Sequence, residues 1–239
     1  MTLPAGSLAD LAAVACFVAA WLGYHLLIET AGHGRRSLNM RMNAERSAWM
    51  RNMLARDNRI VDSSLLASLQ NGTAFFASTS LLAVGGSLAL LRAPDDLMRL
   101  AADLDLGGSQ TRGTAELKAL GLAVIFVYAF FKFAWSYRVF NYAAILMGAV
   151  PMPNRASADE TQAAADRAAA MITVAGRHFN RGQRAFFFAL AYLGWFASPY
   201  VLIAATTAAF YVMWRRQFRS EALVALDTGR EISAGLERS

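Results

Sequence analysis

Residues 11–28 read LAAVACFVAAWLGYHLLI, an apolar run that decides the fold class of this chain. A helix needs about 20 predominantly apolar residues to cross the roughly 30 Å of bilayer hydrocarbon. Three more long apolar runs follow, at about residues 65–91, 117–139 and 185–214. With the first crossing placed at about residues 8–28, the sequence predicts an all-α, polytopic membrane helical bundle with four transmembrane helices.

The composition agrees with a membrane protein. Hydrophobic residues make up 56% of the 239 residues and charged residues only 17%, and the mean hydropathy is +0.33. A soluble domain ordinarily carries about 25% charged residues. We therefore expect a single membrane domain over residues 1–239. Cys16 is the one cysteine in the sequence, which excludes an intramolecular disulfide and a cysteine-based metal site.

The formal net charge of +6 comes mainly from arginines that flank the apolar runs. Residues 29–64 carry seven arginines and residues 138–184 carry six, whereas residues 92–116 carry three among several acidic side chains. Basic residues resist translocation, so the first two segments are predicted to be cytoplasmic and both termini to lie outside. Three arginines within residues 215–219 argue against that position of the C terminus. The expected partners of these segments are membrane lipids with anionic headgroups, and not nucleic acid.

Two of the predicted cytoplasmic segments have helical patterns. Residues 37–62 contain no Gly or Pro, and their apolar residues recur at helical spacing, which predicts an amphipathic helix. Residues 157–180 begin with Ser157 and Glu160 at the spacing of a capping box, in which each side chain satisfies a free backbone amide of the other residue. These helices predict a rigid collar below the membrane. The alternative is that they are solvated connectors.

The second apolar run contains small residues at regular spacing. Thr79, Ala83 and Ser87 follow one another at four-residue steps, a pattern that lets helix backbones approach closely. We interpret these three residues as a helix-packing face. The alternative is a pore lined by the polar residues of this run, among them Asn71 and Ser78.

A lysine lies within the third apolar run. Lys132 is placed about two turns from the predicted cytoplasmic end, where an unpaired charge costs up to roughly 3 kcal/mol. Glu29 and Asp62 lie at span ends on the same side and are the expected carboxylate partners. The alternative is that the long side chain extends to the interface and keeps its ammonium in water.

Further polar residues are expected in the same layer, which would form a path for an ion or solute. They are Asn141, His178 and His25, the last of which precedes Glu29 by one helical turn. His25, Glu29 and His33 have a spacing that suits a divalent metal, but too few ligands follow, so no metal and no cofactor are predicted. Pro199, inside the fourth run, predicts a helix kink.

Several stretches together resemble a known family. They include DNRIVD at residues 57–62, FVYAFFKF at residues 126–133, HFNRG at residues 178–182 and RRQFRS at residues 215–220. They are similar to the bacterial membrane proteins grouped as domain-of-unknown-function family five-nine-nine. The resemblance implies a four-span inner-membrane protein and carries no activity. Six polar positions match the family pattern, none with a role: Asn58, Asp62, Lys132, Asn141, His178 and Asn180.

Three functions remain open at this stage. The first is a non-catalytic, multi-pass protein of the bacterial inner membrane that forms a homo-oligomer or serves as an accessory subunit. The second is a channel or small-solute transporter with a polar layer around Lys132. The third, for which the sequence offers least, is a membrane-surface enzyme that uses His25, Glu29 and His178.

Overall fold

The computed structural model describes residues 8–29, 37–92, 111–152 and 155–226. Six α-helices account for most of these residues, residues 221–226 form a further short helical stretch, and no β-strand occurs among them. In chain order the helices are α1 Leu8–Glu29, α2 Leu38–Met53, α3 Ile60–Arg92, α4 Arg112–Gly148, α5 Ala158–Ala197 and α6 Pro199–Phe218. The predicted all-α helical bundle is confirmed.

Three of the described helices are long and apolar enough to cross a membrane, namely α1, α3 and α4. They correspond to the first three predicted spans. Each has large apolar side chains on its outer surface, such as Leu22 on α1, Leu82 on α3 and Val124 on α4. An apolar outer surface of this extent is expected where lipid, and not water, surrounds the helices.

The prediction of one fourth span over residues 185–214 is wrong. The helix ends at Ala197, and Ser198 has the extended dihedral angles φ −165° and ψ 162°. Pro199 then begins α6, and the Ser198 hydroxyl accepts a hydrogen bond from the Val201 amide at 3.2 Å. Proline disfavours a helical conformation at the residue before it, and serine is a preferred N-cap. The expected kink is therefore a complete break.

Helices α5 and α6 fold back on each other as an antiparallel hairpin. A Cβ atom on Gly194 would lie 3.0 Å from the Val201 side chain, so the chain reverses closely around Ser198. At the other end of the hairpin the Arg216 guanidinium lies 5.1 Å from the ring centre of Phe187. Helix α1 packs against this hairpin, where the Tyr24 hydroxyl donates to the Met213 carbonyl at 3.1 Å.

Aromatic rings fill the centre of the apolar part of the bundle, which we call the aromatic core. Trp21 of α1 stacks on Phe188 of α5 with ring centres 5.2 Å apart. Phe76 of α3 stacks on Phe133 of α4 at 5.4 Å. The buried members of the aromatic core are Ala13, Phe17, Tyr24, Leu122, Ile125, Phe126, Ala129, Phe133, Ala185, Phe188, Ala189, Tyr192, Trp195, Leu202 and Met213.

A second core, which we call the alanine core, lies where α2 and the start of α3 pack on α4 and α5. Its buried members are Met50, Met53, Leu66, Val139, Phe140, Ala143, Met147, Val150, Ala164, Ala165, Ala168, Ala169, Ile172 and Ala175. Helices of 37 and 40 residues, as α4 and α5 are, are about 55 and 60 Å long. Both exceed the roughly 30 Å of bilayer hydrocarbon. They therefore reach from one core into the other.

The two predicted cytoplasmic segments differ in outcome. Residues 37–62 do not form one helix, because α2 ends at Met53 and α3 begins at Ile60. The Asn58 side chain accepts a hydrogen bond from the Ile60 amide at 2.9 Å and so caps α3. The capping box of Ser157 and Glu160 is confirmed, but its helix continues without interruption through residue 180 to Ala197.

Candidate functional site

The strongest polar cluster of the described residues lies at the end of α1 and joins it to α5. Arg181 donates from Nε to Glu29 Oε1 at 2.9 Å and from Nη2 to Glu29 Oε2. Arg184, one turn further along α5, donates to Glu29 Oε1 at 2.5 Å. His25 Nδ1 lies 3.3 Å from the same oxygen. We call these four residues the Glu29 cluster.

The Glu29 cluster has an excess of positive charge. Two guanidinium groups share one carboxylate, and Arg181 binds it with a two-pronged geometry that fixes the angle between α1 and α5. Arg181 is thereby held as the charged partner of Glu29. The sequence did not single out Arg181 and Arg184 for this role, because they lie more than 150 positions from their partner.

Lys132 does not pair with Glu29 or with Asp62 among the described residues. Its ammonium lies 5.1 Å from the ring centre of Tyr128, in a cation–π arrangement, and the side chain is half-buried. Both expected carboxylates are occupied by arginines instead. Guanidinium binds carboxylate at two points, so the arginines are the better partners where geometry allows a choice.

Asp62 belongs to a separate site within the alanine core. The side chain is completely buried and accepts hydrogen bonds from Trp49 Nε1, at 2.7 Å, and from Arg56. Its other oxygen has no hydrogen-bond partner. Because Trp49 is on α2 and Asp62 is in the first turn of α3, this site holds the two helices at their angle.

The other predicted members of the layer also have local partners. Asn141 Oδ1 accepts a hydrogen bond from Gln70 at 2.7 Å, which joins α3 to α4. The ring of His178 lies edge-on to Trp135 with centres 6.4 Å apart, and its Nδ1 is buried without a partner. Burial lowers the pKa of His178, and the charges of Lys132 and Arg181 lower it further. The predicted continuous layer is thus divided into separate sites.

The predicted packing residues of α3 differ in how deeply they are buried. Ser87 is buried, whereas Ala83 and Thr79 are half-buried. The buried hydroxyl residues of this helix are Thr73, Ser80 and Ser87, at seven-residue steps. Each donates its hydroxyl to the carbonyl four residues earlier, at 2.7–2.8 Å, so none needs a partner on another helix. These three hydroxyl groups are therefore buried in the helix contact without a hydrogen bond to another helix.

A buried lysine, not singled out by the sequence, lies at the opposite end of the aromatic core. Lys118 is only 5% exposed and donates to the Trp195 carbonyl at 2.8 Å. The Trp195 indole in turn donates to Asp10 at 2.7 Å. Lys118 and Asp10 stand at the ends of two predicted spans on the same side, which is the one signal that could have indicated this cluster.

Of the three residues His25, Glu29 and His33, whose spacing suits a metal ion, His33 lies outside the described residues. Within the described residues no group of three His, Cys, Asp or Glu side chains is close enough to hold a metal ion. His25 itself is held by Glu29.

Two adjoining cavities lie beside the Glu29 cluster. The first has a volume of about 220 Å³, is partly open to the surface and is bordered by α1, the start of α2, α5 and the end of α6. The second, of about 230 Å³, shares four lining residues with it, namely Ile28, Asn39, Asn180 and Arg184. The cavities and the cluster together form a polar region, partly open to the surface, where α1, α2, α5 and α6 meet.

The sequence matches the family described as "Protein of unknown function, DUF599" over residues 12–222. The chain belongs to this family. The resemblance stated from the sequence is therefore confirmed. No curated protein and no solved structure matches the chain.

The range that matches DUF599 contains the Glu29 cluster, both adjoining cavities and Lys118. Asp10 precedes the matched range. In this DUF599 protein the contact from Trp195 to Asp10 therefore joins a residue inside the matched range to one outside it.

Proposed function

We propose that this protein is a non-catalytic, multi-pass protein of the bacterial inner membrane that acts as a homo-oligomer or as an accessory subunit of a membrane complex. One observation carries the proposal. Helices α4 and α5 continue without a break from the aromatic core into the alanine core. A surface suited to lipid and a surface suited to water therefore belong to one rigid unit, which can present a fixed face to other subunits.

The Glu29 cluster supports a structural role for its residues. Both oxygens of Glu29 are occupied by arginine donors, and His25 contacts one of them. A general acid or base needs an accessible proton position beside its substrate. Glu29 instead connects the last turn of α1 to α5 and so stabilises the contact between these two helices.

The α5–α6 hairpin favours a topology with five membrane crossings instead of the predicted four. Helix α5 lies along the whole of α1, from Glu29 beside Arg181 to Asp10 beside Trp195. Helix α6 returns over the same depth, and Leu190 on α5 and Tyr211 on α6 are exposed. If α1 crosses the hydrocarbon, its neighbours of equal depth cross it as well. The termini then lie on opposite sides of the membrane.

Five crossings remove the conflict in the arginine count. The arginines of residues 215–219 then lie on the same side as the Arg-rich segments 29–64 and 138–184. Positive charge on one side marks the cytoplasm. We therefore place the C terminus inside and the N terminus outside, in place of both termini outside.

Reporter fusions test this topology in the full-length chain. We expect a reporter inserted after Gly108, which lies outside the described residues, to be periplasmic and one near Arg155 to be cytoplasmic. A fusion to the C-terminal end separates the two topologies, because five crossings place it in the cytoplasm and four place it outside. A periplasmic signal from the C-terminal fusion would refute the five-crossing arrangement.

The proposed assembly is tested by measuring the mass of the protein in nanodiscs formed directly from the native membrane. We expect a defined species heavier than one chain. Arg167→Glu, on the charged outer face of α5 near the alanine core, should reduce this species. Ala208→Ser, on the exposed lipid-side face of α6, is the control. A single chain without partners in wild-type nanodiscs would contradict the proposal.

Transport is the second candidate, and one observation favours it. Lys132 has no carboxylate partner among the described residues, and Asn71 and Ser78 of α3 are exposed on the outer surface. Because aromatic rings fill the interior of one chain, a path would have to run between copies. Ion flux in liposomes that is unchanged by Lys132→Met would exclude a path lined by this residue.

A further inference from the structure

The cavity of about 220 Å³ beside the Glu29 cluster has a lining unusually rich in hydrogen-bond donors. Its apolar walls come from Ile28 of α1, Phe187 of α5 and Met213 of α6. The polar part of the lining consists of Asn39, Asn180, Gln183, Arg184, Arg216 and Gln217. Four of these residues carry amide groups and two carry guanidinium groups, so the cavity offers many donors to a ligand with several acceptor oxygens.

Gln217 supplies the observation that points most directly to a ligand. The residue is only 9% exposed, and its amide nitrogen is buried without a hydrogen-bond partner. Leaving such a donor without an acceptor destabilises the folded state. The residue lines the cavity, and rotation of its side-chain amide would bring this donor to an acceptor atom bound there.

The charges around the cavity favour an anion. Arg216 forms no ion pair among the described residues and lies over the ring of Phe187. Arg184 has to share Glu29 with Arg181, so the pair keeps one uncompensated positive charge. The first turn of α2, represented by Leu38 and Asn39, also lines the cavity. The N-terminal end of a helix carries a partial positive charge and free amide groups.

The size of the cavity limits the ligand. A volume of about 220 Å³ is below the roughly 300–1,000 Å³ of pockets that hold drug-sized molecules. It is several times the roughly 30 Å³ that one water molecule occupies in the liquid. The cavity therefore suits a compact charged group, either free or at the end of a larger molecule that extends out of the opening.

We propose that this cavity, with Arg184, Arg216 and Gln217 as its principal donors, is a binding site for a phosphate group. Guanidinium groups match the geometry of phosphate oxygens, and phosphate offers more acceptor positions than a carboxylate. The group is supplied either by the headgroup of an anionic phospholipid or by a soluble phosphate. The inference goes beyond the proposed function and uses it only to name the cytoplasmic leaflet as the lipid source.

Thermal unfolding of the full-length protein in dodecyl maltoside micelles tests the site. One arm compares sodium phosphate with sodium chloride at equal ionic strength. The other arm compares dioleoylphosphatidylglycerol with dioleoylglycerol, which has the same acyl chains without the phosphate. A ligand that binds only the folded state raises the unfolding midpoint, and the rise grows with the logarithm of the ligand concentration above its Kd. We expect a rise in at least one arm, and the arm that responds identifies the source.

Arg216→Gln and Arg215→Gln form a matched pair of variants. Both remove one arginine from the last turn of α6, but only Arg216 lines the cavity. A hydrogen bond to a charged group contributes about 1.5–3 kcal/mol, so Arg216→Gln should weaken binding about tenfold or more. Arg215→Gln should change it by less than about twofold. Equal weakening by both variants, or no rise in either arm, would overturn the proposal.

Gln217→Leu gives a second test that is independent of charge. The variant removes a donor that has no partner without ligand, so the midpoint in chloride should not fall. The phosphate-dependent rise should shrink. A lower midpoint in chloride together with an unchanged rise would show that Gln217 only supports the fold, and this outcome would refute its role in the site.

Discussion

The aromatic core and the alanine core share three helices, α3, α4 and α5, yet they are built differently. In the aromatic core, rings such as those of Phe133 and Phe188 fill wide spaces between five helices. In the alanine core, residues such as Ala165 and Ala168 allow α4, α5 and α2 to approach closely. Both interiors are apolar, so burial does not show which one lies in lipid.

The outer surfaces make that distinction. Around the aromatic core, Leu22, Phe75 and Leu120 are exposed. Around the alanine core, the exposed residues include Arg51 on α2 and Arg167 on α5. The first surface suits lipid, whereas the second mixes charged residues with apolar ones such as Ile60 and Ile145, which suits the boundary between the membrane and water. The two cores thus differ in the outer residues of their helices more than in the polarity of their interiors.

The largest effect is expected from removing a ring of the aromatic core. Phe133 is completely buried, whereas Phe131, two positions away, is 64% exposed. Phe133→Ala should lower the free energy of unfolding by about 3–5 kcal/mol, because it leaves a cavity between helices. Phe131→Ala should have a much smaller effect. Thermal midpoints in mild detergent provide the measurement, and similar losses for both variants would mean that the rings do not form a packed core.

The next effect concerns the junction between the two cores, where the Glu29 cluster lies. Glu29→Gln leaves Arg181 and Arg184 without their carboxylate and should cost about 2 kcal/mol, less than a fully buried pair would. Glu116→Gln is the control, because Glu116 forms an exposed pair with Arg112 on one helix. That variant should cost less than about 0.5 kcal/mol. Chemical or thermal unfolding in detergent measures the loss of stability in both variants. If the control loses as much stability as Glu29→Gln, Glu29 does not stabilise the contact between α1 and α5.

A smaller effect is expected from enlarging the alanine core. Ala168 is completely buried between helices, whereas Ala170 is exposed on the same helix. Ala168→Leu should cost about 1–2 kcal/mol, because the added atoms force α5 away from its neighbours. Ala170→Leu should be close to neutral. Limited proteolysis of the region around α2 reports the loosening, and equal protection in both variants would contradict close packing there.

The smallest effect is a dependence of stability on pH. Burial and the nearby charges of Lys132, Arg181 and Arg177 hold the pKa of His178 below its ordinary value of 6.5, although Glu29 opposes them. The unfolded chain then binds the proton more readily, so stability should fall as the pH drops below about 6.5. The loss should stay below about 1 kcal/mol because the ring is partly exposed. His178→Gln should remove this component of the pH profile of the thermal midpoint, and an unchanged profile would exclude it.

Local features of the fold were predictable from the sequence. The apolar runs indicated α1, α3 and α4, and the Ser157 capping box marked the start of α5. The same reasoning failed at Pro199, where a kink was expected and the helix breaks. A kink and a break have the same local signal, and only the packing of α6 against α1 and α5 distinguishes them.

The candidate site was less predictable. The sequence identified Lys132 as a charge that needs a partner and predicted Glu29 or Asp62 for that role. In the structure Glu29 binds Arg181 and Arg184, and Lys118 is the buried lysine. Several charges at the same membrane depth can satisfy one carboxylate, and sequence spacing does not rank them when they lie on different helices.

The sequence by itself determined the helical class, the apolar runs and the capping residues, because these depend on side chains within a few positions of one another. The tertiary structure decided the direction of the hairpin at Ser198, the pairing of Glu29 and the position of the donor-lined cavity. Each of these depends on residues far apart in the chain, as Glu29 and Arg181 are separated by 152 positions. Helix packing brings them together, and the free energy of packing is a property of whole surfaces.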